Sequence, residues 1–249
     1  MKSSCKTWVD AVLGFFYPNL CQICELERAT HETGYVCDTC RAQPGAIRWI
    51  TEPYCQRCGL PYSGQITNSF ECSNCRELDL SFSFARSAAA ASGLVLDTIH
   101  RYKYHRAVWF EPFLAELLIR QAKPSIGADL WDAIVPVPLH PLKEREREFN
   151  QAERLARHLA RATGLPVIPG AVRRTRFTRT QTQLSRARRA ENMRQAFTVS
   201  NSKEVRGKRI ILLDDVLTTG ATASACARIL LGHGAMDVCV WTVARGVWT

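Results

Sequence analysis

Beyond residue 80, apolar runs of strand length alternate with amphipathic stretches of helical length. Helices are predicted at 93–120, as one or two segments, at 149–162 and at 220–232, and strands at 132–138, 166–168, 209–214 and 236–243. Strands that alternate with helices in this way form a parallel sheet with helices on both faces. The pattern therefore predicts an α/β domain over 81–249, with its ligand at the carboxyl ends of the strands.

Residues 1–80 have a different organisation, which is set by cysteine. Eight of the eleven cysteines form four CxxC pairs separated by 12, 14 and 13 residues: Cys21 and Cys24, Cys37 and Cys40, Cys55 and Cys58, and Cys72 and Cys75. Two thiolates on one tight turn reach the same ion, and two such turns complete a tetrahedral shell of four sulfurs. Residues 1–80 are therefore predicted to be a zinc-binding module with two structural Zn²⁺ ions.

Two pairings of these CxxC turns satisfy the spacing. In the sequential pairing, the cysteines of 21–40 bind one ion and those of 55–75 bind the other. In the cross-braced pairing, the second and third turns exchange. The sequential pairing closes shorter loops and loses less chain entropy, so we favour it. A redox-active CxxC or a set of disulfides is the competing interpretation, and a reducing compartment argues against it.

The first residues lack the features of an export signal. The apolar stretch from Trp8 to Tyr17 is interrupted by Asp10, and no small-residue cleavage site follows it. No segment of the sequence is apolar over a length that would span a bilayer. We therefore expect a cytoplasmic protein with no membrane insertion.

The formal net charge of +10 comes mainly from arginine, whose side chain suits bidentate contacts to phosphate. Eight arginines and a single acidic residue, Glu191, lie within 173–194. A segment of this composition cannot pack in a core, and we interpret it as a mobile loop that closes over an anion. A solvated basic face or a strip that binds nucleic acid is the alternative.

The most informative segment is 210–222, with the sequence IILLDDVLTTGAT. A buried strand is predicted to end at Asp214 and Asp215, and the next residues turn into a helix: Thr218, Thr219, Gly220, Ala221 and Thr222. A loop that opens a helix presents free amide N–H groups and the positive end of the helix dipole, which together bind a phosphate monoester. Two carboxylates beside such a loop suit the vicinal hydroxyls of a ribose.

This segment resembles the phosphoribosyl-pyrophosphate (PRPP) motif of type I phosphoribosyltransferases at every position. The rest of the chain resembles the ComF family of competence-associated proteins, above all its enterobacterial members tied to DNA utilisation. The matching segments follow the family's order: the CxxC module, YKYHR at 102–106, then 135–152, 174–197 and VAR at 243–245. The resemblance implies a type I phosphoribosyltransferase fold, which is a Rossmann-like parallel sheet, behind a small N-terminal zinc-binding module.

The resemblance also implies a reaction. Enzymes of this type displace pyrophosphate from PRPP through an oxocarbenium-like transition state, with Mg²⁺ bridging pyrophosphate and ribose. By this resemblance, residues 218–222 bind the 5′-phosphate, and Asp214 and Asp215 bind the ribose. The loop after Pro138 resembles the pyrophosphate loop of amidophosphoribosyltransferases. In this chain it carries Leu139, His140 and Lys143, and the basic loop supplies Arg186 and Arg189 as candidate catalytic contacts to pyrophosphate.

Two departures from the family pattern bear on catalysis. Glu148 stands where a glycine is expected in an RGFNQ segment, and Ala107 follows YKYHR where the family often has a Gly–Arg pair. If the glycine serves an unusual backbone angle, Glu148 alters the turn, and its carboxylate would repel pyrophosphate.

Two functions remain open from the sequence. One is a Mg²⁺-dependent phosphoribosyltransferase with an unknown acceptor. The other is a non-catalytic protein of natural transformation that senses PRPP or handles single-stranded DNA. The partners expected from the resemblance are PRPP, single-stranded DNA and other competence proteins such as a helicase.

Overall fold

The structure is a computed structural model that describes residues 19–62, 64, 70–77, 79–127, 129–175 and 196–246. The elements in chain order are α1 (Asp38–Ala42), α2 (Ser73–Glu77), β1 (Ala85–Ala90), α3 (Gly93–Tyr104), α4 (Glu111–Ala122), β2 (Ala133–Pro136), α5 (Pro141–Arg147), α6 (Gln151–Thr163), β3 (Val172–Arg174), β4 (Phe197–Val199), α7 (Ser202–Val205), β5 (Arg209–Leu217), α8 (Ala221–Gly232) and β6 (Asp237–Arg245). Short 3-10 turns occupy Val108–Phe110 and Lys123–Ser125.

A parallel sheet in the order β1-β6-β5-β2 forms the centre of the fold, as the sequence pattern predicts. Residues 166–168 extend it beyond β2 through a parallel bridge between Ile134 and Val167. At the other edge, residues 48–50 pair antiparallel with β1, with Ile50 N donating to the Ala88 carbonyl at 3.1 Å. Both edges of the sheet are therefore hydrogen-bonded to other parts of the chain.

Each face of the sheet has its own hydrophobic core. Helices α3, α4 and α6 cover one face, together with the cysteine turns of residues 21–40. Helix α8 and the β3–β4 ribbon cover the other face, together with the cysteine turns of residues 55–75. The N-terminal cysteine turns thus contribute to both cores. The domain boundary predicted at residue 80 stays a prediction.

Several boundaries differ from the sequence-based ones. Strand β5 does not end at Asp214, because Val216 and Leu217 continue to pair with Ala244 and Arg245 of β6. The predicted helix at 93–120 is two helices separated by the 3-10 turn at Val108–Phe110. Strand β1 and helix α5 were not predicted. The sequence of β1, ARSAAA, is rich in alanine, a residue with low strand propensity.

Helix α6 is well defined by its sequence at both ends. The side chain of Asn150 accepts a hydrogen bond from Ala152 N and caps the helix, and Gly164 ends it in the left-handed conformation with φ of 78°. The buried face of α6, with Leu155 and Leu159 fully buried, packs on α4 and on β2 and β5. This arrangement fixes Asn150 at the carboxyl end of the sheet.

A buried carboxylate joins the three helices on this face. Glu111, at the first position of α4, accepts hydrogen bonds from Tyr102 Oη at 3.1 Å, from His158 Nε2 at 2.8 Å and from Arg154 Nε. Burial alone would raise the pKa of Glu111, but the hydrogen bonds from His158 and Arg154 outweigh it and lower the pKa. The carboxylate is therefore ionised in the fold, and it ties α3 and α6 to α4.

Replacing this carboxylate with an amide is expected to destabilise the protein. Glu111→Gln leaves Arg154 without its buried counter-charge, at a cost of about 3 kcal/mol in urea unfolding at pH 7. Since the folded-state pKa is depressed, the difference from wild type should shrink as pH falls below the ordinary glutamate pKa. Glu116→Gln is the control, because its ion pair with Arg41 is half exposed and contributes less than about 1 kcal/mol. Equal losses in the two variants would contradict this assignment.

Candidate functional site

Four cysteine turns form two compact clusters of sulfur. Cys21, Cys24, Cys37 and Cys40 make one, and Cys55, Cys58, Cys72 and Cys75 make the other; within each cluster the Sγ atoms lie within 4.8 Å of one another. The sequential pairing favoured from loop entropy is therefore confirmed, and the cross-braced pairing is wrong.

The spacing of the sulfurs fits a tetrahedral metal shell. The Sγ–Sγ distances are 3.8 Å for Cys21–Cys40 and 3.8 Å for Cys55–Cys75. Four sulfurs at about 2.3 Å from a Zn²⁺ ion lie about 3.8 Å from one another, whereas a disulfide requires about 2.05 Å. Both clusters therefore support structural zinc, and the disulfide interpretation is wrong.

Backbone amides stabilise thiolates in both clusters by the same geometry. Cys37 N donates to Cys21 Sγ at 3.3 Å in the first cluster, and Cys72 N donates to Cys55 Sγ at 3.3 Å in the second. In the second cluster, a hydrogen bond from Cys55 and the guanidinium of Arg245 lower the pKa of Cys58 to about 6. The thiolate form of Cys58 is thus favoured by its protein surroundings.

The loop before α8 has the geometry of a phosphate-binding turn. Gly220 lies directly before the first residue of the helix with φ of 80°, a left-handed angle that favours glycine. Thr218 and Thr219 are exposed, and Thr219 Oγ1 lies 3.4 Å from Ala221 N. The first-turn amides of a helix have no intrahelical acceptors, so this exposed end offers donors to an anion.

The paired carboxylates lie just before this loop, within β5. Because successive strand residues point to opposite faces, Asp215 points towards α3, where Lys103 Nζ lies 2.8 Å from its Oδ1. Asp214 points to the α8 side. Removal from water and the charge of Asp215 raise the pKa of Asp214 to about 7, although Lys103 offsets part of this effect. Asp215 is thus paired with Lys103, and Asp214 titrates near neutral pH.

A second loop lies beside these carboxylates because β2 pairs with β5. Val137 N donates to the Leu213 carbonyl at 2.8 Å, and Asn150 Nδ2 donates to the Val137 carbonyl at 3.1 Å. The chain then passes Leu139, which is half-buried, and enters α5, which His140 caps by accepting from Leu142 N through Nδ1. Asn150 therefore holds this loop against the sheet while it caps α6.

Several positively charged side chains lie near this second loop. Desolvation and the charges of Arg147 and Arg174 lower the pKa of Lys143, and Lys103 contributes in the same direction. Arg147 is buried, with Nη1 3.2 Å from Gln151 Oε1 and its guanidinium over the Tyr104 ring at 5.1 Å. Like charges held this close are stabilised by a bound anion.

Glu148 adopts the backbone angle for which the expected glycine would be suited. It follows α5 in the left-handed conformation with φ of 68°, and Arg106, with φ of 53°, is also left-handed. Arg106 Nη1 lies 2.7 Å from Glu148 Oε1, and both side chains are largely exposed. The turn therefore survives the substitution, and the carboxylate is engaged by an arginine at the surface.

The structure brings most of the predicted ligand-site residues to the carboxyl end of the sheet. Residues 214–222 lie on β5 and the start of α8, and Leu139, His140 and Lys143 lie on the adjoining loop and α5. Arg186 and Arg189 lie outside the described residues. The sequence did not predict Lys103, Arg147, Arg174 or Arg245 as part of this region. Lys103 lies within YKYHR, and that motif was the available signal.

Comparison with known proteins agrees with this geometry. The model of a double zinc ribbon domain matches residues 12–76, and that of a phosphoribosyl transferase domain matches residues 150–246. Competence protein F of Haemophilus influenzae is 32% identical over 216 residues, which cover 84% of this chain and 90% of that protein. The chain belongs to the ComF family. The DNA utilization protein YhgH of Salmonella typhimurium is 32% identical over 92% of this chain and 97% of that protein.

A third relative also matches most of the chain. Competence protein ComFC of Bacillus subtilis is 32% identical over 84% of this chain and 84% of that protein. This chain thus combines a double zinc ribbon with a phosphoribosyltransferase domain, as the sequence resemblance implied. In the described part of the chain, every helix is too short or too polar to cross a bilayer.

The two sulfur clusters predict the metal content of the purified protein. Wild-type protein should contain two Zn²⁺ ions per chain by elemental analysis, since each cluster supplies four sulfurs at tetrahedral spacing. Cys21→Ser and Cys55→Ser should each reduce the content to one ion, whereas Cys239→Ser, which changes a buried cysteine on β6, should leave two. Loss of both ions in either single variant would contradict two independent centres.

Proposed function

We propose that the carboxyl end of the sheet binds PRPP together with Mg²⁺. The observation that carries this proposal is the convergence of three groups there: a helix-opening Thr-Gly loop, a pair of carboxylates and a cationic loop. A matching ligand would have a phosphate for the Thr-Gly loop, a diol for the carboxylates and a second anionic group for the cationic loop. PRPP has this arrangement.

Each part of the ligand has a partner of suitable chemistry. Residues 218–222 bind the 5′-phosphate through amide N–H groups and threonine hydroxyls. Asp214 and Asp215 accept hydrogen bonds from the ribose hydroxyls. Leu139, His140 and Lys143 lie on the loop that faces pyrophosphate, and Arg147 and Arg174 add positive charge. The basic segment contributes Arg186 and Arg189 to the same anion.

Magnesium fits this arrangement as a companion of the substrate. Asp215 is already paired with Lys103, and Asp214, with a pKa of about 7, is protonated in about half of the molecules near pH 7. Mg²⁺ keeps most of its water ligands and binds through substrate phosphates and one or two carboxylates, so such a pair is sufficient. When bound, it neutralises pyrophosphate and orients it as a leaving group.

The catalytic form of the proposal is phosphoribosyl transfer to an unknown acceptor. The bond between the anomeric carbon and pyrophosphate breaks, the acceptor forms a bond to that carbon, and the acceptor's proton is released. Positive charge that develops on the ribose is stabilised by the side chain of Asp215 and by that of Asp214 once it is deprotonated. Arg174, on β3 beside the basic segment, is close enough to Asp214 for their charges to interact.

A PRPP-sensing or DNA-handling protein is the second candidate function. The observation that favours it is a pair of exposed aromatic rings that follow α3 or end it, with Tyr104 58% and Trp109 39% exposed. Arg106, between them in sequence, is 57% exposed. Exposed rings among arginines stack on the bases of single strands. The names of the relatives refer to competence and DNA utilisation, and this supports a role that involves DNA. Single-stranded DNA and a helicase as partners, and a cytoplasmic location, belong to this second proposal as expectations from the sequence.

Titration calorimetry of PRPP with Mg²⁺ tests the proposed site directly. Wild-type protein should show saturable binding, and Asp214→Asn/Asp215→Asn should weaken it at least about tenfold, because both ribose acceptors are neutralised. Asp237→Asn is the matched control, since this carboxylate lies at the opposite end of the sheet, and it should bind as wild type does. Wild-type protein with full zinc content that fails to bind PRPP would exclude the proposal. Release of pyrophosphate then separates an enzyme from a sensor.

The pH dependence of binding should reveal Asp214. Its pKa is raised to about 7, so the carboxylate is protonated below that pH and ionises as the pH rises. PRPP affinity should therefore increase between pH 6 and pH 8 and level off above. Asp214→Asn removes the titrating group and should flatten the profile in that window, while the ionisation of PRPP itself affects both proteins equally. A profile of the same shape in both proteins would contradict this role.

A further inference from the structure

Arg245, the last residue of β6, is an arginine with only 4% of its surface exposed. Its side chain reaches two structures that belong to different parts of the chain. One is the second sulfur cluster, and the other is the start of the phosphate loop. The ComF-family comparison assigns a role to neither contact.

The contacts on the zinc side involve Cys58. Arg245 Nε donates to the Cys58 carbonyl at 3.1 Å, and Nη2 donates to Cys58 Sγ at 3.4 Å. A donor on a ligating sulfur stabilises the thiolate and orients the ligand, and removal of such a donor typically weakens metal binding about 10–100-fold.

The contacts on the loop side involve backbone carbonyls. Arg245 Nη1 lies 3.0 Å from the Leu217 carbonyl, 2.5 Å from the Thr218 carbonyl and 2.8 Å from the Gly246 carbonyl. In a trans peptide the carbonyl and the following N–H point in opposite directions. Holding the carbonyls of Leu217 and Thr218 therefore turns the amides of Thr218 and Thr219 away from Arg245, and both of these residues are exposed.

The charge of the guanidinium links the two sides. Four of these five contacts are to backbone carbonyls, and the fifth is to the sulfur of Cys58. Among these five contacts, no carboxylate balances the positive charge of the guanidinium. A buried cation needs a counter-charge. One Zn²⁺ ion with four thiolates carries a net charge of about −2, and the geometry of the second cluster fits that centre. Zinc at this centre therefore stabilises Arg245 in its position.

We propose that Arg245 is a positioning residue that couples the second cysteine centre to the phosphate loop, so that zinc occupancy at Cys55–Cys75 sets the order of the loop and its affinity for a phosphate ester. The effect on affinity rests on the proposed function, because it requires PRPP to bind there. The effect on loop order does not require any ligand. The first cysteine centre, which packs on the opposite face of the sheet, is independent of the loop.

Hydrogen–deuterium exchange of the full chain without ligand tests the coupling. In Arg245→Gln, amides of 218–222 should exchange at least about tenfold faster than in wild type, since their carbonyl anchors are lost. Arg245→Lys keeps the charge without the fork of donors and should show an intermediate rate. Arg86→Gln is the matched control. Arg86 hydrogen-bonds to Gln56, which lies between Cys55 and Cys58 of the second cluster, but these hydrogen bonds do not reach residues 217–219. This variant should exchange as wild type does.

A pair of cysteine variants tests the metal link. Cys72 and Cys37 occupy equivalent places in the two clusters, each with its amide 3.3 Å from the first sulfur. Cys72→Ser and Cys37→Ser should each lose one zinc, but only Cys72→Ser should accelerate exchange at 218–222. The double variant Cys72→Ser/Arg245→Gln should be no faster than Arg245→Gln alone. Thermal unfolding of each protein checks that the sheet is intact.

The outcomes separate this inference from the proposed function. Wild-type exchange rates in Arg245→Gln, or equal acceleration in Cys37→Ser and Cys72→Ser, would overturn the coupling. If the coupling holds, PRPP should bind Arg245→Gln about tenfold more weakly than wild type. If wild-type protein does not bind PRPP at all, the proposed function fails, while the ligand-free exchange result still decides the coupling.

Discussion

The parallel pairing of β2, β5 and β6 is the constraint on which the site depends. Parallel strands end at the same edge, so the loops that follow β2 and β5 must lie side by side. The bond from Val137 N to the Leu213 carbonyl fixes their register, and it places the cationic loop beside Asp214. A slip of one residue would exchange the directions of Asp214 and Asp215. The relative positions of the site residues are thus set by backbone hydrogen bonds of the sheet.

A sheet of this kind must be covered on both faces, and here the cysteine turns supply part of the cover. The first cluster joins the core under α3 and α4, and the second joins the core under α8. Small metal-bound turns have little apolar surface of their own, and metal binding supplies much of their folding free energy. By packing on the sheet they gain a core, and the sheet gains a rigid layer at the edge strand β1.

The sequence predicted the parts of this structure that depend on local chemistry. Cysteine spacing and loop entropy gave the pairing of the clusters, and the segment 210–222 gave the strand, the loop and the helix in the right order. It did not predict where β5 ends, because pairing of Val216 and Leu217 with β6 is a tertiary contact. Nor did it predict β1, whose alanines have low strand propensity and are in a strand through pairing with β6 and with Trp49. Lys103 and Arg245 were missed for the same reason, since their partners lie far away in sequence.

The span of 187 residues between Cys58 and Arg245 has a consequence for biosynthesis. The first cysteine centre can close once residue 40 has left the ribosome, because all its ligands are then available. The ligands of the second centre emerge soon after, but the guanidinium that hydrogen-bonds to Cys58 is translated only with the end of β6. The second centre therefore reaches its final environment only after β6 has joined the sheet. The final environment of the second cysteine centre thereby depends on translation of the chain through β6.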